Sequence, residues 1–133
     1  MTEQTPRRCL LVDDDDAMRM LVRLHLEGVD ADVVTAASVP AGCELVDAED
    51  PSFAMVVADH RMPGTADGVD LLRHARDRDP ATRLVLLSSH FAPETVAAAE
   101  ALGATVVDKA DADRVARLWA AADDGGGPTG PGP

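Results

Sequence analysis

The sequence predicts an α/β fold in which a doubly wound sheet of five parallel strands carries helices on both faces. Three observations support this prediction. Short apolar runs alternate with segments of helical spacing five times along the chain. The runs are apolar throughout, which indicates that both faces of the sheet are buried. Alternation of strands and helices also indicates right-handed crossovers between parallel neighbours.

Four of the five predicted strands are followed directly by polar or charged residues. The strands are expected at residues 9–12, 32–36, 53–58, 84–87 and 105–107. The polar residues that follow them are Asp13 and Asp14, Asp59, Ser88 and Ser89, and Asp108 and Lys109. Because the carboxyl ends of parallel strands lie along one edge of a sheet, we expect these side chains to converge there.

A helix is expected after each strand. The first four are predicted over residues 17–27, 39–48, 68–78 and 93–102, and Asp111 is expected to cap the last one. Ser38 is a suitable N-cap for the second helix, with Pro40 in its first turn. The predicted apolar stripe of the first helix consists of Met18, Leu21, Val22 and His25. His25 is therefore interpreted as a core or boundary histidine rather than a ligand, and Trp119 on the last helix as a packing or interaction residue.

The length of 133 residues fits one domain. We expect an N-terminal tail at 1–7, the domain at 8–122, and a disordered Gly/Pro-rich tail or linker at 123–133. No apolar run is long enough to span a membrane, and the polar N-terminus is unlike a signal peptide. With Cys9 and Cys43 interpreted as reduced thiols, these features favour a cytoplasmic location.

The formal net charge of −12 limits the classes of partner. It argues against binding of nucleic acid or of anionic membranes by this domain, because both are recognised by clustered Lys and Arg. A strongly acidic chain is instead suited to a divalent cation or to a basic surface on a partner protein.

The residues predicted to converge could support phosphoryl transfer. Two carboxylates about 4 Å apart repel by roughly 4 kcal/mol at an effective dielectric near 20, so a cluster of them favours a cation such as Mg²⁺. Asp13 and Asp14 would hold the metal, and Asp59 would be the nucleophile. Ser88 would donate a hydrogen bond to a phosphoryl oxygen, and Lys109 would pair with its charge.

Four segments, LLVDDDDAMR, VVADHRMPG, LVLLSS and GATVVDK, occur in this order. Together they resemble the receiver domain of two-component response regulators over residues 8–122. The resemblance implies a flavodoxin-like (βα)5 fold and phosphorylation of Asp59 by a histidine kinase or phosphotransfer protein. It further implies Mg²⁺ bound by Asp13, Asp14, Asp59 and the backbone carbonyl of Arg61, with Ser88 and Lys109 at the phosphoryl group.

The resemblance also implies partners beyond the phosphate donor. They are an output domain or partner protein and, through the face formed by the fourth helix, fifth strand and fifth helix, a second copy of the chain. The chain is then either a stand-alone regulator or a receiver excised from a longer protein. Such a domain is a signalling module that catalyses only its own phosphotransfer and dephosphorylation.

The sequence departs from the usual receiver pattern in three places. The loop from Met62 to Gly68 is one residue longer than usual, and Lys109 is followed by Ala110 where proline is common. Val106 occupies the position of the aromatic switch residue. Arg61 and His90 occupy the two positions that modulate dephosphorylation in the family by controlling access of water.

Two alternative functions stay open at the level of sequence. The first is an interaction module of the same fold that no longer uses phosphorylation, which the missing aromatic ring favours. The second is a small Mg²⁺-dependent phosphatase, because Asp13 and Asp15 form a D-x-D pattern after a strand. The short chain leaves no room for a substrate cap, which disfavours this enzyme.

Overall fold

The computed structural model describes residues 7–62, 64 and 66–125. Five strands form one parallel sheet in the order β2-β1-β3-β4-β5. They are β1 Cys9–Val12, β2 Val33–Ala36, β3 Met55–Asp59, β4 Arg83–Ser88 and β5 Thr105–Asp108. The predicted doubly wound α/β fold is therefore confirmed. Of the tails expected at 1–7 and 123–133, residues 1–6 and 126–133 lie outside the described residues.

The helices follow the strands in the expected alternation. They are α1 Asp16–Glu27, α2 Val39–Ala48, α3 Gly68–Arg78, α4 Pro93–Ala101 and α5 Asp113–Gly125. The predicted bounds of α2 and α3 agree with the structure at both ends. α2 begins where the Ser38 hydroxyl accepts from the Ala41 amide, and α3 begins at a capping box formed by Asp67 and Asp70.

The last helix begins later than the sequence suggests. Asp111 belongs to a short 3₁₀ turn, Lys109–Asp111, so the prediction that it caps α5 is wrong. The cap of that turn is Asp108, whose Oδ1 accepts from the Ala110 amide at 2.9 Å. α5 then continues to Gly125, past the predicted end of the domain at residue 122.

The order of the strands places a crevice beside the central strand. From β1 the chain moves first to β2 on one side and then to β3 on the other, and such a reversal opens a cleft at the carboxyl ends of the strands. The register pairs Val12 with Ala58. The next residues along these strands, Asp13 and Asp59, therefore lie side by side at the cleft.

Two hydrophobic cores cover the two faces of the sheet. Successive residues of a strand point to opposite faces, so Leu10 and Val12 pack beneath α2, α3 and α4, whereas Cys9 and Leu11 pack beneath α1 and α5. This two-sided burial is the reason that β1 and the middle of β3 and β4 are apolar without alternation. Cys9 is buried and Cys43 half-buried, and both are free thiols.

α1 packs through a narrower stripe than predicted. Its buried residues are Val22 and Leu26. Leu21, which was expected on the buried stripe, is 44% exposed, and Met20 and Leu24 are also exposed. His25 is half-buried at the edge of the helix.

Across the described ranges, no helix is both long enough and apolar enough to cross a membrane.

Arg7, two residues before β1, belongs to the folded domain. Arg7 was expected in the N-terminal tail, yet its guanidinium donates to the carbonyls of Ser52 and Phe53, both at 2.8 Å. It also pairs with Asp79 at 3.0 Å. The folded part of the chain therefore includes Arg7, on the edge of the sheet opposite the cleft.

α4 is held differently at its two ends. Its N-cap residue, Ala92, makes no side-chain capping hydrogen bond. At the other end, the Arg76 guanidinium donates from Nε to the Leu102 carbonyl at 3.0 Å and from Nη1 to the Thr82 carbonyl at 2.8 Å. The C-terminal end of α4 is thereby tied to α3 and to the start of β4.

Candidate functional site

Three aspartates meet at the cleft between β1 and β3. Asp13, Asp14 and Asp59 each offer a carboxylate oxygen, and these oxygens lie within 4.8 Å of one another. Asp13 and Asp59 are buried, and Asp14 is exposed. We call these residues the acidic trio. Carboxylates this close repel one another strongly unless a cation or a proton joins them.

Asp13 is held by its own loop. Its Oδ1 accepts from the Asp15 amide at 2.9 Å, whereas its buried Oδ2 has no hydrogen-bond partner among the described residues. Burial is the main cause that raises the pKa of Asp13, the charges of Asp59 and Asp14 act in the same direction, and the Asp15 amide and Lys109 oppose them; together they raise the pKa to about 6. A buried, unpartnered carboxylate oxygen within a set of hard oxygen donors fits a Mg²⁺ ligand.

Asp59 ends β3 and is 2% exposed. The Lys109 ammonium lies 2.7 Å from Asp59 Oδ1, so the substitution of Ala110 for the usual proline does not displace the lysine. Burial alone lowers the pKa of Lys109, but the hydrogen bond and charge of Asp59, with Asp13 and Asp15, raise it above its ordinary value. Lys109 therefore remains a cation beside the carboxylate.

Ser88 lies at the same edge but is bonded to its own loop. It ends β4 and is 3% exposed, and the register pairs the preceding Leu87 with Asp59. Its hydroxyl donates a short hydrogen bond to the His90 carbonyl and accepts from the His90 amide at 3.1 Å. In this structure the Ser88 proton is therefore directed along the loop that leads to α4.

The remaining predicted residues lie around the rim of the cleft. Arg61 and His90 are exposed on the loops after β3 and β4, and the role of the Arg61 carbonyl as a metal ligand stays a prediction. Val106, in place of an aromatic ring, is half-buried against the core beneath α4. Asp15 caps α1, with Oδ1 accepting from the amides of Ala17 and Met18.

Two residues of the site escape sequence reasoning. The His60 ring is 15% exposed, and its Nε2 lies 3.5 Å from Thr95 Oγ1 on α4 and 3.8 Å from Asp67 Oδ2. At Gly68, a Cβ atom would collide with the Asp59 carbonyl oxygen and meet His60 Cα at 3.1 Å. The glycine in the loop sequence could have suggested a close approach of backbone, but no local pattern indicates the contact of His60 with α4.

Comparison with known proteins gives a consistent result. The model of the response regulator receiver domain family matches residues 9–115. The photosynthetic apparatus regulatory protein RegA of Cereibacter sphaeroides is 34% identical over 111 residues, which cover 82% of this chain and 59% of RegA. The alginate biosynthesis transcriptional regulatory protein AlgB of Pseudomonas aeruginosa is 34% identical over 107 residues, which cover 80% of this chain and 23% of AlgB. The chain thus spans less than two thirds of the length of these relatives.

Solved structures show the same fold at lower identity. A CheY-like receiver domain protein from Methanospirillum hungatei has a TM-score of 0.79 at 23% identity, covering 90% of this chain and 96% of that one. The CheX–CheY complex with beryllofluoride and Mg²⁺ from Borrelia burgdorferi has a TM-score of 0.75 at 22% identity, covering 90% and 89%. Because the family model spans most of the chain and these folds agree with it, the protein belongs to the response regulator receiver domain family.

Proposed function

We propose that this receiver domain accepts a phosphoryl group on Asp59 from a phosphohistidine of a histidine kinase or phosphotransfer protein. The observation that carries the proposal is the setting of the Asp59 carboxylate. It is buried 2.7 Å from the Lys109 ammonium, and the carboxylates of Asp13 and Asp14 lie within 4.8 Å. A carboxylate fixed between a cation and a cation-binding pair suits a phosphoryl acceptor.

The transfer conserves atoms and charge in a simple way. An oxygen of Asp59 forms a bond to phosphorus, while the bond from phosphorus to the donor imidazole nitrogen breaks. The imidazole keeps the electron pair and takes up a proton from water. Lys109 stabilises charge on the phosphoryl oxygens, and Ser88 donates to one of them after leaving the His90 carbonyl.

The acidic trio fits Mg²⁺, with Asp13, Asp14, Asp59 and the Arg61 carbonyl as ligands. Receiver domains bind this ion at an acidic pocket, and it supplies positive charge for the phosphoryl oxygens. Asp13 Oδ2 has no other partner among the described residues. Loss of this carboxylate should therefore lower the affinity for Mg²⁺ more than loss of a capping aspartate such as Asp15.

The consequences for partners belong to the same proposal. A phosphorylated Asp59 would present a changed surface to an output domain, a partner protein or a second copy through α4, β5 and α5. The net charge of −12 favours basic partner surfaces over nucleic acid or anionic membrane. We place this signalling in the cytoplasm, where the module catalyses only its own phosphotransfer and dephosphorylation.

Intact-protein mass spectrometry tests the proposal directly. The parent, D59N and D77N are incubated with Mg²⁺ and acetyl phosphate. Asp77 is a control because it is an exposed aspartate of α3 that lies outside the acidic trio and its loops. We expect one phosphoryl group on the parent and on D77N, and none on D59N. If the parent gains no phosphoryl group and also does not bind beryllofluoride, the result would support the alternative of an interaction module that works without phosphorylation.

The phosphatase alternative is disfavoured by one contact. The second aspartate of its D-x-D pattern, Asp15, is engaged as the N-cap of α1, so it is not free to protonate a leaving group. Turnover of phosphomonoesters by the parent would reverse this conclusion.

A further inference from the structure

Arg19 reaches back from α1 to the loop that carries the acidic pair. Its Nη1 donates a 2.7 Å hydrogen bond to the backbone carbonyl of Asp13, and its Nη2 lies 2.5 Å from Asp16 Oδ1. The side chain is 22% exposed, so most of it is enclosed by these contacts. Arg19 therefore ties the peptide after β1 to the first turn of α1.

The carbonyl that Arg19 holds belongs to the peptide that joins Asp13 to Asp14. A peptide is planar, so a fixed carbonyl also fixes the direction of the Asp14 amide on its other side. The orientation of this one plane sets the angle at which both side chains leave the backbone. The Asp13 carboxylate is also held through Oδ1 by the Asp15 amide. Asp14 is exposed, so the direction of its carboxylate depends more on the orientation of the backbone.

The charge of Arg19 is offset locally. A bare guanidinium near a cation site would repel a divalent ion. Here the Asp16 carboxylate pairs with it, and the pair is close to neutral. What remains for the site is the hydrogen bond to the Asp13 carbonyl, a bond from a charged donor that holds its acceptor more firmly than a neutral donor would.

We infer that Arg19 is a positioning residue for the acidic trio: it orients the Asp13–Asp14 peptide so that both carboxylates can reach one divalent cation. Because this role rests on the proposed function, its test has to separate the two. Groups that orient ligands from outside the coordination shell typically change metal affinity by about 10–100-fold. For a backbone contact to one ligand residue, we expect the lower end of that range.

The test is a calorimetric titration of the metal-free full chain with Mg²⁺, without a phosphate donor. Arg19→Met removes the donors and the charge, and Arg19→Lys keeps the charge and one donor. Arg23→Met is the matched control, because Arg23 lies one turn further along α1 and pairs with Glu27 at 2.9 Å. We expect Arg19→Met to raise the dissociation constant about tenfold, and the other two to stay within about twofold of the parent.

A second measurement separates positioning from general stability. In amide NMR spectra of the metal-free protein, Arg19→Met should shift the Asp14 and Asp15 signals, and Arg23→Met should leave them in place. If Arg19→Met is unstable, Arg19→Gln replaces it, since its shorter amide cannot span both acceptors, and the same weakening is expected.

Three results would overturn the inference. Tighter Mg²⁺ binding in Arg19→Met would show that charge outweighs the hydrogen bond. Equal binding in the parent and in both Arg19 variants, with Asp59 still phosphorylated in the parent, would remove the role of Arg19 and leave the proposed function intact. A parent that neither binds Mg²⁺ nor takes a phosphoryl group would remove both together.

Discussion

At the scale of single residues, Asp13 links the site to the stability of the domain. Its pKa is raised to about 6 by burial and neighbouring carboxylates, above the ordinary value of 3.8. The folded state therefore binds this proton more tightly than the unfolded state does. The resulting stability is fully present below about pH 4 and is lost as the pH rises through 6.

Asp13→Asn should therefore stabilise the metal-free protein at pH 7.5, by about 1–3 kcal/mol, because it removes a buried charge. The gain should shrink as the pH falls below 6. Urea unfolding of the parent and the variant at pH 5 and pH 7.5 measures both values. An equal difference at the two pH values would contradict the raised pKa.

Arg61 offers a second prediction at this scale. It is exposed on the loop that follows Asp59, where a long side chain can limit the approach of water to the phosphorylated carboxylate. Arg61→Ala should change the lifetime of phospho-Asp59 by more than about twofold, on the order of a lost polar contact. Decay is followed by intact mass, with Arg73→Ala as a control on the exposed face of α3. An unchanged lifetime would exclude the role.

The sequence predicts the residues of the site better than it predicts their partners. The end of a strand is a local feature that can be recognised in the sequence. For this reason the sequence correctly predicts the strand-end positions of Asp13, Asp59, Ser88 and Lys109. The bonds of Arg19, His60 and Ser88 depend on loop geometry and on neighbours that are distant in the chain. No periodicity encodes those contacts, so only the three-dimensional structure reveals them.

At the scale of elements, the entry of α3 is fixed by Gly68. The Gly68 amide donates to the His60 carbonyl at 3.0 Å, and a Cβ atom would collide with the carbonyl oxygen of Asp59. Gly68→Ala should cost about 1–3 kcal/mol and should also slow phosphorylation, because α3 has to move away from the phosphoacceptor.

Gly28→Ala is the control for this change. Gly28 ends α1 at a φ of −65°, and a Cβ atom there meets carbonyl oxygens at 3.3 and 3.4 Å. The variant should stay within about 1 kcal/mol of the parent and keep the parent rate. Thermal unfolding and acetyl phosphate kinetics are measured on both variants. Equal effects would show that the close approach at Gly68 is unimportant.

The accuracy of the predicted bounds depends on whether an element ends at a local stop. α2 and α3 agree with the sequence because Ser38 and Asp67 cap them. β3 begins at Met55 rather than Phe53, since Ala54 bonds across to Arg8 and Arg83 outside the regular ladder. The start of α5 is predicted too early because the 3₁₀ turn that begins at Lys109 has no sequence signature of its own.

At the scale of the whole molecule, the charge of −12 makes stability depend on ions. Any salt screens the general repulsion, whereas Mg²⁺ should also bind the acidic trio. At matched ionic strength, MgCl₂ should raise the melting temperature of the parent more than NaCl does. Asp59→Asn should lose much of that difference. Identical melting curves in the two salts would argue against specific binding.

The overall architecture is the part that the sequence predicts most completely. Two-sided burial leaves the middle of the central strands apolar without alternation, and this pattern can be recognised without knowledge of any contact. The apolar surface of α1 is harder to predict, because Leu21 and Leu26 are chemically alike, yet Leu26 packs into the core between the sheet and α5, whereas Leu21 is 44% exposed.

The unequal attachment of α4 has a mechanical consequence. With Arg76 bonded to the carbonyl of Leu102 and no side-chain cap at Ala92, α4 is anchored more firmly at its C-terminal end than near the phosphoacceptor, where Thr95 makes a longer contact with His60 at 3.5 Å. Release of the His90 carbonyl by Ser88 would act on this less firmly anchored end, so the displacement of α4 should be largest there. Amide hydrogen exchange should accordingly be faster in the first turn of α4 than in the last.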